Sequence, residues 1–247
     1  MTTLLAIEAK FIAGDSRWTD RSNKPVNKPL RKYLRHDDTI TFFSGDEYPI
    51  LIEKASLLGV ISDETYENLQ DELDKSEEFS SIVFDDETGQ FLASESTGVE
   101  QIGTILHSGT GGSFAAQFMH ETMGYPWAST TKQVEASMNI AYVEDVCSGG
   151  DIHQKLWSAA GQEIDNLAHC CVDYKNLVNS EISYIIELVE KANLMIAGGS
   201  TMSAALVSPT RTNSAPNAPK VSKSNAQQRL MARKARLAAR ELKKNPK

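Results

Sequence analysis

The chain begins "MTTLLAIEAKFIAGDSR", and Thr2 and Thr3 are the first residues in it able to do chemistry. A threonine hydroxyl is a poor nucleophile at neutral pH and needs a base beside it. An N-terminal threonine supplies its own, because an α-amino group titrates near ~8 and can take the hydroxyl proton. Thr2 becomes such a residue once Met1 is removed, and Met1 before a small residue is a normal substrate for methionine aminopeptidase. Three later stretches add carboxylates, hydroxyls and glycines: "IAGDSR" at 12–17, "GTGG" at 109–112 and "DVCSGG" at 145–150. Singly, each has a plain structural reading. Threonine favours strands, Asp15 can be a strand-end acid paired with Arg17, and "SGG" can simply stop a helix.

The elements that must position these residues follow from periodicity and turn chemistry. "TLLAIEA" and "FIAGDS" read as two strands in a tight hairpin, and "RSNKPVNKP" as loop. "LRKYLRH" and "TITFFSG" read as a second strand pair turning at Asp37-Asp38. Helical spacing runs from Glu47 to Leu58, with Gly59 as its stop, and an acidic helix opens at Asp63. "SIVFDDETGQFLAS" is a hairpin with a Gly-containing turn, and "GTILHSGTGG" is strand running into a glycine turn. Two helices follow, "SFAAQFMHETM" and "TTKQVEASMNIAYVEDV", with Pro126 between them. "SGGDIHQKLW" returns to strand, and residues 162–197 are mostly helical with a break near Asn179-Ser180.

Composition bounds the function classes. With 247 residues, 40% hydrophobic and 23% charged, the chain reads as an ordinary soluble globular protein. Its longest apolar runs are interrupted by Glu187, Glu190 and Lys191, so no membrane span is expected, and the N-terminus lacks a signal-peptide layout. Cys147, Cys170 and Cys171 form no CxxC pattern and are expected as reduced thiols in a cytoplasmic protein. The five histidines show no HExxH spacing, so neither a metal nor another cofactor is expected.

The net charge of −8 hides a division. Residues 209–247 hold eleven Lys and Arg against Glu241 alone, whereas the rest of the chain holds 14 bases and 32 acids. Residues 200–225, rich in Ser, Ala, Pro and Asn, read as a flexible linker, and 226–247 as a basic helical tail. Such a tail is either a solubilising extension or a contact for nucleic acid phosphates or an acidic protein surface.

Taken in order, "TT", "IAGDSR", "GTGG" and "DVCSGG" resemble the catalytic β-subunits of the proteasome and the bacterial HslV peptidases, which are N-terminal-nucleophile (Ntn) hydrolases. The resemblance covers roughly residues 2–157, and "DxxSGG" after a long helix is its most specific part. It implies an α+β fold, a four-layer αββα sandwich forming one domain over 1–199, with 162–197 as a helical extension ahead of the linker and tail.

The same resemblance implies a threonine peptidase. Thr2 attacks a peptide carbonyl and forms an ester that water hydrolyses. A lysine beside Thr2 favours the unprotonated amine, and Asp15 fixes that lysine as its counter-ion. Matching the family strand to "LRKYL" assigns the lysine as Lys32, with Lys28 as the alternative; Pro29 beside Lys28 suits a strand interior less well. Gly45 supplies the backbone N–H for the developing oxyanion, a donor whose loss commonly costs ~3 kcal/mol. Asp145 and Ser148 orient the terminal amine, and Thr110 stands in place of the usual serine in the glycine turn.

Expected partners are a peptide or unfolded-protein substrate, sister subunits in a homo-oligomeric ring and an ATP-dependent unfoldase. Two departures from the family stand out. Asp46 occupies a position that is often glycine, and Thr2 lies three residues closer to Asp15 than in the family. With the tail, these motivate a second reading: a catalytically inactive scaffold or assembly subunit of the same fold.

Overall fold

The computed structural model describes residues 2–20, 22–72, 79–95, 98–125, 129–157 and 164–197. Met1, Pro126, the linker and the basic tail therefore lie outside the described residues.

The chain divides into two units. The first comprises residues up to Asp46 together with Phe79–Cys170, and it contains two larger antiparallel sheets besides a two-stranded ladder. One sheet has five strands in the order β11 (Ile152–Leu156), β2 (Phe11–Asp15), β1 (Leu4–Ile7), β10 (Ile105–Ser108) and β9 (Val99–Ile102). The other runs β5 (Tyr33–His36), β6 (Thr39–Gly45), β7 (Phe79–Asp85) and β8 (Phe91–Glu95). Strand β1 is buried at every position, as a strand covered on both faces should be.

Alternation sorts the side chains of β1 and β2 between two cores. Leu4, Ala6 and Ile12 pack with Tyr33, Ile40, Phe42, Ile82 and Phe84 of the second sheet, so the sheets stack face to face. Leu5, Ile7, Phe11 and Ala13 point the other way, into a core shared with Ala115, Met119, Val134 and Met138. Those residues belong to α3 (Gly112–Thr122) and α4 (Thr130–Glu144), which form a helical layer over the first sheet. This unit thus holds three of the expected layers: helix, sheet, sheet.

Ionic contacts also join the sheets. Arg35 Nε on β5 donates to Asp86 at 2.8 Å, and Lys155 Nζ on β11 reaches the same carboxylate at 2.7 Å. Arg35 also meets Asp165 at 2.8 Å. Burial opposes the Asp86 charge, but the hydrogen bonds from Arg35 and Lys155 prevail and hold its pKa below 3.8.

The second unit contains α1 (Glu47–Leu57), α2 (Asp63–Glu72) and α5 (Val172–Ala197). Two hydrogen bonds between buried polar groups lie within it: Tyr66 Oη donates to Glu53 at 2.9 Å and Lys54 Nζ to Tyr174 Oη at 3.1 Å.

Several details differ from the sequence reading. The expected helical stretch 162–197 is helical only from Val172, and residues 164–171 run as irregular chain with a bridge from Asp165 to Lys155. The "RSNKPVNKP" loop contains a short ladder, with β3 (Trp18–Thr19) against β4 (Pro25–Val26). Strand β9 carries no strong hydrophobic alternation and is specified by its partner β10. Helix α5 passes through Asn179-Ser180 without a break, because Val178 and Ile182 are fully buried on one face while those two polar residues face out. Among the described residues, no helix is long and apolar enough to cross a membrane.

Candidate active site

The turn after β1 is three residues, Glu8 to Lys10, with Ala9 at φ 54. Leu4 pairs with Gly14, so the next position outward sets Thr3 against Asp15. The Asp15 N–H donates to the Thr3 carbonyl at 3.1 Å, and the Thr3 N–H donates back to Asp15 Oδ1 at 3.1 Å. The shortened hairpin therefore still delivers the Asp15 side chain to the start of β1.

Asp15 is buried with Lys32, whose Nζ lies 3.2 Å from Oδ1; each residue is 1% exposed. The second carboxylate oxygen accepts the Gly149 N–H at 3.0 Å. Burial pushes the Asp15 carboxyl up and the Lys32 ammonium down, and each shift is opposed by the other's charge. Of the two candidate lysines, Lys32 is the one that pairs with Asp15, while Lys28 is exposed on the preceding loop. Arg17 is not the partner of Asp15. It donates instead to the carbonyls of Ser148 at 2.7 Å and Val146 at 3.3 Å.

A chain of hydroxyls joins the other predicted residues. Thr3 Oγ1 donates to Ser148 Oγ at 2.6 Å, and Ser148 Oγ donates to Asp145 Oδ2 at 2.6 Å. Thr110 Oγ1 donates to the same oxygen. The Cys147 N–H donates to the other Asp145 oxygen at 3.1 Å. Burial raises the cost of the Asp145 charge, yet these donors hold its pKa below 3.8.

Thr2 sits at the end of this arrangement, 1% exposed, and its Oγ1 is buried without a hydrogen-bond partner among the described residues. Gly109 explains how tightly it is held. Its φ is 82, and a Cβ there would collide with the Thr2 carbonyl, reaching 2.7 Å from the carbonyl carbon. At Gly111 a Cβ would press on Thr3 Oγ1 and Ser148 Oγ, so the glycine turn admits backbone where side chains would block the hydroxyl chain.

Gly45 closes β6. Its neighbour Ser44 shares a hydrogen bond of 2.7 Å with Ser108, the residue before Gly109. That contact fixes the end of β6 to the turn that holds Thr2. Asp46 is exposed and immediately precedes α1.

Thr3, Arg17 and Gly149 escaped the sequence reading as site residues. Arg17 and Gly149 lie inside the quoted motifs, but nothing local signals which carbonyl or carboxylate each would meet. Among the described residues, no group of three His, Cys, Asp or Glu is placed to hold a metal ion.

No family model and no curated protein matches this sequence. Among solved structures, the chain is similar to eukaryotic HslV from Trypanosoma brucei, with 21% identity over 63% of this chain and 98% of that one, at a TM-score of 0.43. It is also similar to Thiobacillus denitrificans BPH. The form in complex with epoxomicin gives 14% identity over 63% of this chain and 97% of that one, with TM-score 0.47. A second BPH structure gives 12% identity over 65% and 99%, with TM-score 0.45.

Proposed function

We propose that the chain is a threonine peptidase in which Thr2, freed by removal of Met1, is an N-terminal nucleophile. The observation that carries this reading is the buried Asp15–Lys32 pair directly behind a threonine pair whose leading hydroxyl has no hydrogen-bond partner among the described residues. The free amine of Thr2 takes the hydroxyl proton and Oγ1 attacks a peptide carbonyl. The leaving amine then collects that proton, and water later hydrolyses the ester. The Lys32 charge lowers the amine's proton affinity, and Asp15 keeps Lys32 in place. Asp145, Ser148 and Thr110 set the amine's orientation, and the Gly45 N–H receives the oxyanion. The substrate is a peptide or unfolded protein, handled in a cytoplasmic homo-oligomeric ring with an ATP-dependent unfoldase.

The enclosure of Thr2 favours a competing reading, a scaffold of the same fold without catalysis. One experiment separates the two. Intact mass establishes whether Met1 is absent, and a β-lactone or epoxyketone probe should then add once, at Thr2. A protein with free Thr2 that takes no label, or full peptidase activity in Thr2→Ala, rejects the peptidase.

A further inference from the structure

Helix α5 outruns the packing that covers it. Tyr174, Val178 and Ile182 are buried on one face, each four residues after the last. The same stripe continues at helical spacing through Ile185, Val189 and Ala192, yet beyond Ile182 no described side chain of α5 is buried. Ile186 and Leu188 are half-buried there as well, and Tyr184 and Leu194 are 61% and 72% exposed. A helix normally turns such a stripe toward a partner, and contiguous apolar surface of this kind marks a contact.

The surroundings of the stripe are acidic. This half of α5 carries Glu181, Glu187 and Glu190, and its one base, Lys191, already meets Glu187 at 3.5 Å. Helix α2, in the same unit, has five carboxylates and no base. Charge of the opposite sign lies further along the chain, where residues 226–247 hold eight Lys and Arg against Glu241. Arg229, Arg233, Arg236 and Arg240 recur every three or four residues, and Met231, Ala235, Ala238 and Leu242 repeat that spacing two positions on. In a helix the two sets occupy opposite faces, one cationic and one apolar. About 28 residues rich in Ser, Ala, Pro and Asn separate this tail from α5, and a flexible chain of that length spans about 30 Å. The open half of α5, from Tyr184 to Ala197, is only about 20 Å long, so the tail can fold back along it.

We propose that the basic tail docks on α5 of its own chain, laying its Met231–Leu242 face on the Ile185–Val189–Ala192 stripe. The surrounding acids steer the tail, and the two apolar stripes hold it. This contact stands apart from the chemistry at Thr2. Hydrogen exchange of the full-length protein, read by mass spectrometry, tests it. A free peptide of residues 226–247 is marginal as a helix in water, so its amides give the undocked rate. In the full chain the amides of residues 229–242 should exchange about tenfold slower than in that peptide, or slower still. Val189→Asp should return them to within about twofold of the peptide. Met231→Asp combined with Leu242→Asp should do the same, and should also speed exchange of residues 184–194 by about threefold or more. That pair lies outside α5, so it carries the test even where Val189→Asp unsettles the helix. A wild-type tail that exchanges at the peptide rate overturns the proposal, including one that only duplex DNA or anionic vesicles then protect. Tail protection indifferent to the Met231 and Leu242 substitutions overturns it as well. Unchanged exchange of residues 184–194 in that pair would place a second copy on the stripe, and tail protection that fades on dilution would bring the tail from another chain; either result rejects the contact.

Discussion

Lys32 Nζ and Asp15 Oδ1 stand 3.2 Å apart with both side chains sealed from solvent. Removing one partner of a buried ion pair leaves an uncompensated charge and commonly costs about 3–5 kcal/mol. Lys32→Met should therefore lower the urea-unfolding free energy by about that amount. Asp15→Asn combined with Lys32→Met should recover most of the loss, and both variants, like Asp15→Asn alone, should lack peptidase activity. Additive effects in that double-mutant cycle would show that the pair is not coupled.

Gly109 and Gly124 make a matched comparison. Ala at 109 must adopt φ 82 and displace the Thr2 carbonyl, whereas Ala at 124 meets open space. Gly109→Ala should cost about 2–4 kcal/mol and abolish Thr2 labelling, while Gly124→Ala should stay within about 0.5 kcal/mol and label normally. Calorimetry and probe kinetics on the two proteins check this. Normal labelling of Gly109→Ala would mean that Thr2 is not held by this turn.

Arg17 holds the 146–149 turn by its carbonyls, and that turn presents Ser148 Oγ and the Gly149 N–H to the site. Arg17→Gln should slow Thr2 labelling by about tenfold or more, corresponding to loss of a charged hydrogen bond. Arg17→Lys should rescue only partly, since one ammonium cannot reproduce the planar fork. Full rescue by lysine would point to charge alone as the contribution of Arg17.

Asp86 makes stability depend on acid. Its folded-state pKa lies below the ordinary 3.8, so the folded form binds fewer protons there than the unfolded form. The resulting stabilisation is complete above the unfolded value and is lost as pH falls from about 3.8 through the folded value. Asp86→Asn should cost about 2 kcal/mol at pH 7 and progressively less below pH 3.8. Urea titrations at pH 7 and pH 3 measure both ends. A constant difference between wild type and variant would remove Asp86 from the titrating groups.

Much of the fold is legible in the sequence because its signals are local. The Asp37-Asp38 turn, the Glu47 helix start, the Gly-containing turn after β7 and the strand after "SGG" each follow from residues within a few positions. The failures have the opposite character. Strand β9 is paired by register with β10, and the Asn179-Ser180 helix persists because Val178 and Ile182 are buried, neither of which a local window registers. Likewise Thr3 has the composition of any strand residue, and only its register opposite Asp15 makes it the junction between a carboxylate and the Ser148 hydroxyl.

The sequence alone determined the types of group available, a threonine pair at the start, an acid ending the first hairpin, and glycine turns with hydroxyls and an acid further on, together with most of the elements that carry them. Side-chain chemistry and hydrophobic period are properties of short stretches, so they can be read without a fold. Only the tertiary structure decided that Lys32 rather than Lys28 pairs with Asp15 and that Arg17 serves backbone carbonyls. Those outcomes depend on strand register and on two sheets stacking across one core, and contacts between distant segments set both.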